Sequence, residues 1–371
     1  MTGGATDSWK PSYAHVHGLD GLRACAVLIV LVAHFGFHEV VPGGFGVTLF
    51  FFISGFLITR LLLAESSRTG RLALGGFYMR RFLRLYPALV VAVLAAYLLY
   101  PVFGGRLSVA DMCAALFYYA NYYGNTVGFM VGTMPEHGAF QTVGVLWSLA
   151  VEEQYYLLFP LLMLPLHKRP RLAVRVFAGV AVFCLAWRFW LDHIGQGDRI
   201  YSSTDTRIDS ILYGAMMTAA LAVDHQRRLL NFLQRKDVLA VSLLMLLSTF
   251  LVRDDWFRNT LRYTLQGLGL MSVVANVCFE GGLAWAQRLL DTRFFALIGA
   301  WSYSLYIFHG HAIVIGENLF KVSYMDPVRS LPVTYYVLTL GLTLAFSLGS
   351  YYLVEKPFFA LRRRFGSQVA G

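Results

Sequence analysis

The chain has 371 residues, of which 57% are hydrophobic and 14% are charged, whereas about 25% of the residues in a soluble domain are charged. Together with a mean hydropathy of +0.57, this composition excludes an ordinary soluble globular protein. A formal net charge of +10 could indicate nucleic-acid binding in a soluble chain. Here the charge lies in loops between apolar segments, and we expect no nucleic-acid partner.

Apolar segments recur along the whole chain, and they are long enough to cross the roughly 30 Å hydrocarbon core of a bilayer as helices. They predict an all-α, polytopic bundle of about ten transmembrane helices, at residues 19–37, 45–63, 85–103, 144–166, 173–191, 208–223, 238–252, 261–279, 294–316 and 332–354. The shorter stretch Ser108–Tyr119 is expected to form a re-entrant or interfacial helix.

Lysine and arginine are distributed unequally between the two sides of this predicted bundle. If the N-terminus is cytoplasmic, the inner segments contain 21 of these residues and the outer segments contain 8, as the enrichment of basic residues in cytoplasmic loops predicts. We therefore expect a protein of the inner or plasma membrane, surrounded by membrane lipids, with both termini in the cytoplasm. No cleavable signal peptide is apparent. The predicted organisation is a cytoplasmic segment at 1–18, one membrane domain at 19–354 and a cytoplasmic tail at 355–371.

The first predicted span contains two ionisable residues, Arg23 and His34. Such groups are costly in a bilayer unless they face protein or water, so they are candidates for function. At about 100° per residue their spacing places both on nearly the same helix face, about 16 Å apart along the axis. They could line one interior cavity, where a histidine can take a proton from a hydroxyl. A packing histidine with a snorkelling arginine is the alternative.

The fourth span places Ser148, Glu152 and Tyr156 at positions i, i+4 and i+8, and therefore on one helix face. A carboxylate there could orient an imidazole or hold a sugar hydroxyl, or it could pair with an interior arginine in a structural role. Glu153 follows directly. Because two adjacent glutamates within a span are costly, this pattern favours the functional interpretation.

Three arginines, Arg80, Arg81 and Arg84, lie just before the third span at the predicted cytoplasmic surface. Guanidinium groups match phosphate oxygens, so these residues could bind a phosphorylated cofactor. Arginines at such a position also set topology and contact lipid headgroups.

Further charged residues open the sixth span and occupy the ninth. Arg207 and Asp209 could pair with each other or face the cavity. His309 and His311 are two residues apart and would face different ways on a helix, so a shared metal site is not expected. No HExxH, Walker or GxSxG motif occurs, which leaves ATP-driven pumping and serine-hydrolase chemistry without support.

Seven segments, in order, resemble membrane acyltransferase family 3, which includes bacterial O-antigen and Nod-factor O-acetylases and macrolide O-acyltransferases. They cover roughly Leu19 to Phe358 and read LDGLRACAVLIVLVAH, FFFISGFLITR, FYMRRFLRLYP, LWSLAVEEQYYLLFP, TRIDSILYG, WSYSLYIFHGH and EKPF. The resemblance implies a helical membrane bundle. It also implies transfer of an acyl group from acyl-CoA, with acetyl-CoA as the expected co-substrate, to a hydroxyl that is usually on a carbohydrate.

The resemblance also implies roles for individual residues. His34 would be the catalytic histidine with Arg23 as its partner, and Glu152 matches the acidic position of the family. Donor-side contacts would come from Arg80, Arg81 and Arg84, and the remaining candidates for substrate binding are Ser148, Tyr156, Arg207, Asp209 and His309. Many relatives have an acidic residue where this chain has Thr48. Many also add a soluble SGNH-type hydrolase domain, which the short tail cannot contain.

The resulting hypothesis is an integral membrane O-acyltransferase without a metal. His34, with Glu152 nearby, would act as general base on a carbohydrate hydroxyl or, less readily, would carry the acyl group itself. Acylation of a small metabolite such as a macrolide is the alternative within the same chemistry. A transporter or flippase for a glycan or acylated substrate is the alternative from another class, and it would need inverted repeats or broken helices, which the sequence does not show.

Overall fold

The protein is described by a computed structural model that covers residues 16–103, 107–126, 144–323, 325–326 and 331–365. Over these residues the chain forms helices and connecting loops without a β-strand, which confirms the predicted all-α class. The predicted terminal segments, 1–18 and 355–371, lie partly outside the described residues.

Ten long helices in the described part of the chain overlap the ten apolar segments of the sequence, with bounds that differ for some of them. They are α1 (Leu19–Val32, extended by a π-helical turn at Ala33–Phe37), α2 (Gly43–Thr69), α3 (Leu74–Leu99), α6 (Trp147–Leu166), α7 (Pro170–His193), α8 (Thr204–Leu221), α10 (Lys236–Leu251), α12 (Leu261–Cys278), α14 (Arg293–Phe320) and α15 (Val333–Ser350). The shorter helices are α4 (Val109–Leu116), α5 (Ala120–Thr126), α9 (Arg228–Leu233), α11 (Asp255–Asn259), α13 (Ala284–Leu290) and α16 (Lys356–Arg362).

Among the described residues, five helical segments are long and apolar enough to cross a membrane. They are Leu19–Phe37, Gly43–Thr69, Leu74–Phe103, Pro170–His193 and Val333–Arg362. These segments are typical of an integral membrane protein, although the predicted number of ten spans is not confirmed. The other long helices pack alongside them: α8 contacts α2 and α7, α14 contacts α1 and α15, and α12 contacts α10 and α8.

Helix α2 lies at the centre of the bundle and is buried over most of its length. It packs against α1 on one side and most extensively against α8 on another. Gly55 of α2 and Gly214 of α8 make this approach possible, because a Cβ atom on either glycine would overlap the backbone of the opposite helix. Small residues allow such close helix crossings, as in many membrane bundles.

The end of α1 departs from regular α-helical geometry where His34 lies. Ala33–Phe37 form a π-helical turn, within which Gly36 adopts φ 105°, a conformation that glycine tolerates because it has no Cβ. A π-helical turn contains more residues per turn than an α-helix and therefore redirects the side chains around it. His34 lies in this turn, and its side chain packs against His309 of α14.

The predicted short helix at residues 108–119 corresponds to α4. Its first turn is closed by a capping box, in which Ser108 and Asp111 each bond the backbone N–H of the other, a standard arrangement at helix N-termini. After α4 the chain turns at Tyr118, whose carbonyl accepts a hydrogen bond of 2.7 Å from Gln154 Nε2. This bond attaches the α4–α5 segment to the middle of α6, beside the glutamates at 152 and 153.

Candidate active site

Among the described residues, two cavities between the helices contain most of the predicted site residues. The arginine cavity has a volume of about 80 Å³, lies near the starts of α1 and α3, and is lined by residues that include Arg23, Ser54, Arg81, Arg84, Glu152 and Tyr156. The histidine cavity has a volume of about 410 Å³, lies near the ends of α1 and α10, and is lined by residues that include His34, Trp147, Arg253, Arg258, Arg262 and Tyr263. Val47 and Tyr306 line both cavities and form the partition between them.

His34 is paired with a second histidine that comes from α14. Its Nδ1 atom lies 3.0 Å from Nε2 of His309, and the two rings stack with their centroids 5.0 Å apart. His309 is completely buried, and its Nδ1 atom lies 2.5 Å from the carbonyl oxygen of Tyr306. The structure therefore places His309 behind His34, as its hydrogen-bond partner, and not on the cavity wall as a substrate contact.

These contacts determine which nitrogen of His34 is basic. A carbonyl oxygen can only accept, so His309 Nδ1 carries the proton and a neutral His309 has its lone pair on Nε2. His34 Nδ1 must then donate to that lone pair, which leaves the lone pair of His34 on Nε2. A neutral histidine held in one tautomer in this way is suited to accept a proton from a hydroxyl.

The partition between the cavities is centred on Tyr306. Its hydroxyl donates to the carbonyl oxygen of Val145 over 2.6 Å and lies 2.6 Å from the hydroxyl of Ser148. Because the Tyr306 proton is given to the carbonyl, Ser148 is the donor in the second bond. These bonds hold the phenol ring across the boundary, one helical turn before the histidine that supports His34.

The arginine cavity confirms that Ser148, Glu152 and Tyr156 share one face, since all three line it. Glu152 accepts hydrogen bonds from Ser54 and from the hydroxyl of Tyr156. The guanidinium of Arg81 stacks on the Tyr156 ring, 3.7 Å from its centroid, in cation–π geometry. Glu152 is therefore fixed inside the arginine cavity, whereas the described partner of His34 is His309.

Arg23 also lies in the arginine cavity, where its Nη2 atom donates to Ser302 Oγ over 3.0 Å. The sequence placed Arg23 and His34 in one cavity, but the structure separates them into the two cavities on either side of Tyr306. The helical face was predicted correctly. The partition is formed by other helices, and the spacing within α1 carries no information about it.

The three arginines near the start of α3, which are Arg80, Arg81 and Arg84, divide into two groups. Arg81 and Arg84 line the arginine cavity. Arg80 lies outside its lining and donates to the carbonyl oxygen of Phe365 over 2.9 Å. The helix therefore presents two of the three predicted donor-side arginines to the cavity.

Arg207 and Asp209 do not pair with each other. Asp209 forms an ion pair of 2.7 Å with Arg188, and both side chains are fully buried. Arg207 donates to the carbonyl oxygen of Tyr201 over 2.7 Å and to Thr48 Oγ1 over 3.1 Å, and it stacks 3.9 Å from the centroid of Tyr263. Arg207 thus supports the aromatic wall of the histidine cavity from behind.

Several site residues were missed from the sequence. Tyr306 stands within the motif WSYSLYIFHGH but carries no charge that would single it out, and Arg188 lies in the predicted span 173–191, where its position in the sequence identifies no partner. Thr48 had no assigned role, and its bond to Arg207 supplies one. In the described residues, no group of three or more His, Cys, Asp or Glu side chains is arranged to hold a metal ion.

Comparison with known proteins gives consistent matches. The family model described as an acyltransferase domain, that of membrane acyltransferase family 3, matches residues 16–352. A Staphylococcus aureus strain COL protein named "Putative O-acetyltransferase SACOL0978" is 32% identical over 361 residues, which are 93% of this chain and 57% of that protein. O-acetyltransferase OatA of S. aureus strain NCTC 8325 is 31% identical over 366 residues, which are 94% of this chain and 58% of that protein.

The chain spans somewhat more than half the length of these relatives. No solved structure gives a significant match. The histidine pair and the residues that line the two cavities lie within residues 16–352, which the family model matches.

Proposed function

The chain belongs to membrane acyltransferase family 3, and we propose from this premise that it is an integral membrane O-acyltransferase acting from acyl-CoA on a hydroxyl of a carbohydrate or glycoconjugate. The observation that carries the proposal is the His34–His309 pair, which leaves a basic nitrogen beside a cavity of about 410 Å³. The volume of about 80 Å³ for the arginine cavity favours a short acyl group. Acetyl is the first candidate, in keeping with the names of the relatives.

The proposed topology has ten spans and two cytoplasmic termini. The ten spans comprise the five helices that are apolar enough on their own to cross a membrane and five further helices, α6, α8, α10, α12 and α14. Several of these additional helices carry polar groups of the site, such as Glu152, Arg207 and His309, which lowers their hydropathy. Polar residues that face the interior of a bundle are compatible with a span. The arginine cavity then lies in the cytoplasmic half and the histidine cavity in the outer half.

Acyl-CoA would approach from the cytoplasmic side. Arg23, Arg81 and Arg84 provide three guanidinium groups, while Glu152 is the one carboxylate among the described residues that line this cavity. Such an excess of positive charge fits the phosphate groups of CoA at the entrance. The acyl end must pass Tyr306 to reach His34, so this side chain stands on the proposed route of the donor.

In the proposed reaction, Nε2 of His34 takes the proton of the acceptor hydroxyl as its oxygen attacks the thioester carbonyl carbon. The carbon–sulfur bond breaks, CoA leaves as a thiolate, and His34 returns the proton to sulfur. The bond to His309 stabilises the His34 ring in the required tautomer and orientation. The alternative, in which His34 first accepts the acyl group, predicts an acyl-enzyme that can be trapped when the acceptor is omitted.

The test is release of free CoA from acetyl-CoA by purified protein, with and without a pool of cell-envelope glycans. We expect release to be stimulated by the glycans and to be lost in His34→Ala. His193→Ala is the matched control, because His193 is an exposed histidine at the end of α7 and outside both cavities. Undiminished acyl transfer by folded His34→Ala would overturn the proposal. Transfer to a macrolide but not to glycans would replace the proposed acceptor class.

A further inference from the structure

Three arginines converge on one wall of the histidine cavity. Arg253, Arg258 and Arg262 all line it together with His34, and all lie between the end of α10 and the first turn of α12. On the proposed topology this connection is outside the membrane, where lysine and arginine are normally scarce. Residues 253–262 contain three of the eight basic residues of the predicted outer segments. The orientation of the protein therefore does not account for them.

The contacts of these arginines leave their charge largely uncompensated. Arg253 donates to the backbone carbonyl of Glu39 over 2.9 Å, and Arg262 donates to the hydroxyl of Tyr263 over 2.6 Å, so both partners are neutral. Arg258 lies 3.8 Å from Asp255, with both side chains exposed to solvent, and such surface pairs contribute little. Glu39 is the one carboxylate among the described residues that line this cavity.

The lining of the cavity also contains aromatic side chains. Trp147, Tyr201 and Tyr263 line the cavity, and the rings of Trp147 and Tyr201 lie 4.9 Å apart between centroids. Arg207, fully buried behind them, adds a further positive charge close to the Tyr263 ring. Aromatic side chains offer an apolar face to a sugar ring, and guanidinium groups bind carboxylate or phosphate through paired hydrogen bonds.

We infer that the acyl acceptor is an anionic glycan, which binds through a carboxylate or phosphate group to Arg253, Arg258 and Arg262 while one of its hydroxyls lies at His34. This inference rests on the proposed function and narrows its substrate class. Arg258 and Arg262 are specificity-determining residues in this arrangement, because they distinguish charged from neutral acceptors without touching the reacting atoms.

The experiment compares acyl transfer to three preparations of cell-envelope glycans. One is native, in the second the carboxylates are converted to neutral amides, and in the third the phosphates are removed. We expect one of the two treatments to raise the acceptor KM of the wild-type protein by about tenfold or more, as expected for loss of a charge-assisted hydrogen bond. The treatment that has this effect identifies carboxylate or phosphate as the recognised group.

The variants connect this effect to the arginines. Arg258→Gln and Arg262→Gln are expected to raise KM for native glycans and to leave KM for the neutralised glycans unchanged, whereas Arg258→Lys restores part of the difference. Arg235→Gln is the control, since Arg235 pairs with Asp237 on an exposed surface away from both cavities. Arg258 is itself exposed, so its variants are expected to fold.

The outcomes separate this inference from the proposed function. Equal use of all three preparations by wild-type protein would overturn the anionic acceptor, while loss of transfer in His34→Ala would still support the acyltransferase. If wild-type protein releases no CoA with any preparation, the proposed function fails and the inference falls with it.

Discussion

Replacing His309 by phenylalanine tests the arrangement of the histidine pair directly. The substitution keeps a planar ring in a fully buried position but removes the acceptor for His34 Nδ1, which lies 3.0 Å away, and the donor to the Tyr306 carbonyl. His34 then keeps its position in the chain but loses the bond that determines its tautomer. We therefore expect the rate of acyl transfer to fall while donor binding remains.

The magnitude follows from the hydrogen bond that is lost. A buried polar group left without its partner costs about 1–3 kcal/mol, which corresponds to a decrease of about 5- to 150-fold if the cost appears in the transition state. We expect this decrease in kcat with little change in the KM for acetyl-CoA. His309→Gln should recover part of the activity, because its amide oxygen can accept from His34 Nδ1.

The assay is steady-state release of CoA in the presence of glycans, together with the thermal midpoint of each variant in detergent. His311→Phe is the matched control, since His311 is also fully buried in α14 and bonds to the carbonyl oxygen of Ala92 over 2.8 Å. A kcat for His309→Phe within about twofold of wild type would refute the role of His309 in holding His34 in its reactive tautomer. Equal losses in both variants would attribute the effect to damage of the core.

Three further predictions concern other parts of the site. Asp209→Asn or Arg188→Met should each destabilise the protein by about 3–5 kcal/mol, because an unpaired buried charge remains. The double variant should recover much of this loss. Single variants with the same thermal midpoint as the wild-type protein would contradict this prediction. Tyr306→Phe removes the hydroxyl that holds the partition, so the release of CoA in the absence of acceptor should rise. An unchanged rate of CoA release without glycans would contradict a role of Tyr306 in separating the two cavities. Arg81→Gln should raise the KM for acetyl-CoA by about tenfold whereas Arg80→Gln should not, and equal effects would show that the cavity does not bind the donor.

Much of the helical framework could be predicted from the sequence, because the length of an apolar segment is a local property. The boundaries were less accurate where a helix continues into charged residues. Helix α3 begins at Leu74, 11 residues before the predicted start, since Arg81 and Arg84 lower the hydropathy of a segment that is nevertheless helical. Their charges lie in a cavity inside the bundle.

The candidate site was predictable only in part. Helical periodicity identifies the helix face on which a residue lies, but it does not identify the helix that packs against that face. Ser148 and Glu152 were placed correctly on one face because they are four positions apart in a helix. The contact of His34 with His309 joins residues that are 275 positions apart, and the pairing of Asp209 with Arg188 crosses between two helices. Such partners depend on how the helices pack, and no local sequence pattern determines that packing.

The partition formed by Val47 and Tyr306 also bears on the electrical insulation of the membrane. On the proposed topology, the layer between the two cavities separates the aqueous compartments on the two sides of the membrane. An apolar side chain and a phenol ring, tied by its hydroxyl to Val145 and Ser148, occupy that layer. On that topology, a smaller residue at position 306 is expected to connect the two cavities and to let protons and ions leak through the protein. The size of this side chain would thus be constrained by the insulation of the membrane as well as by the proposed acyl transfer.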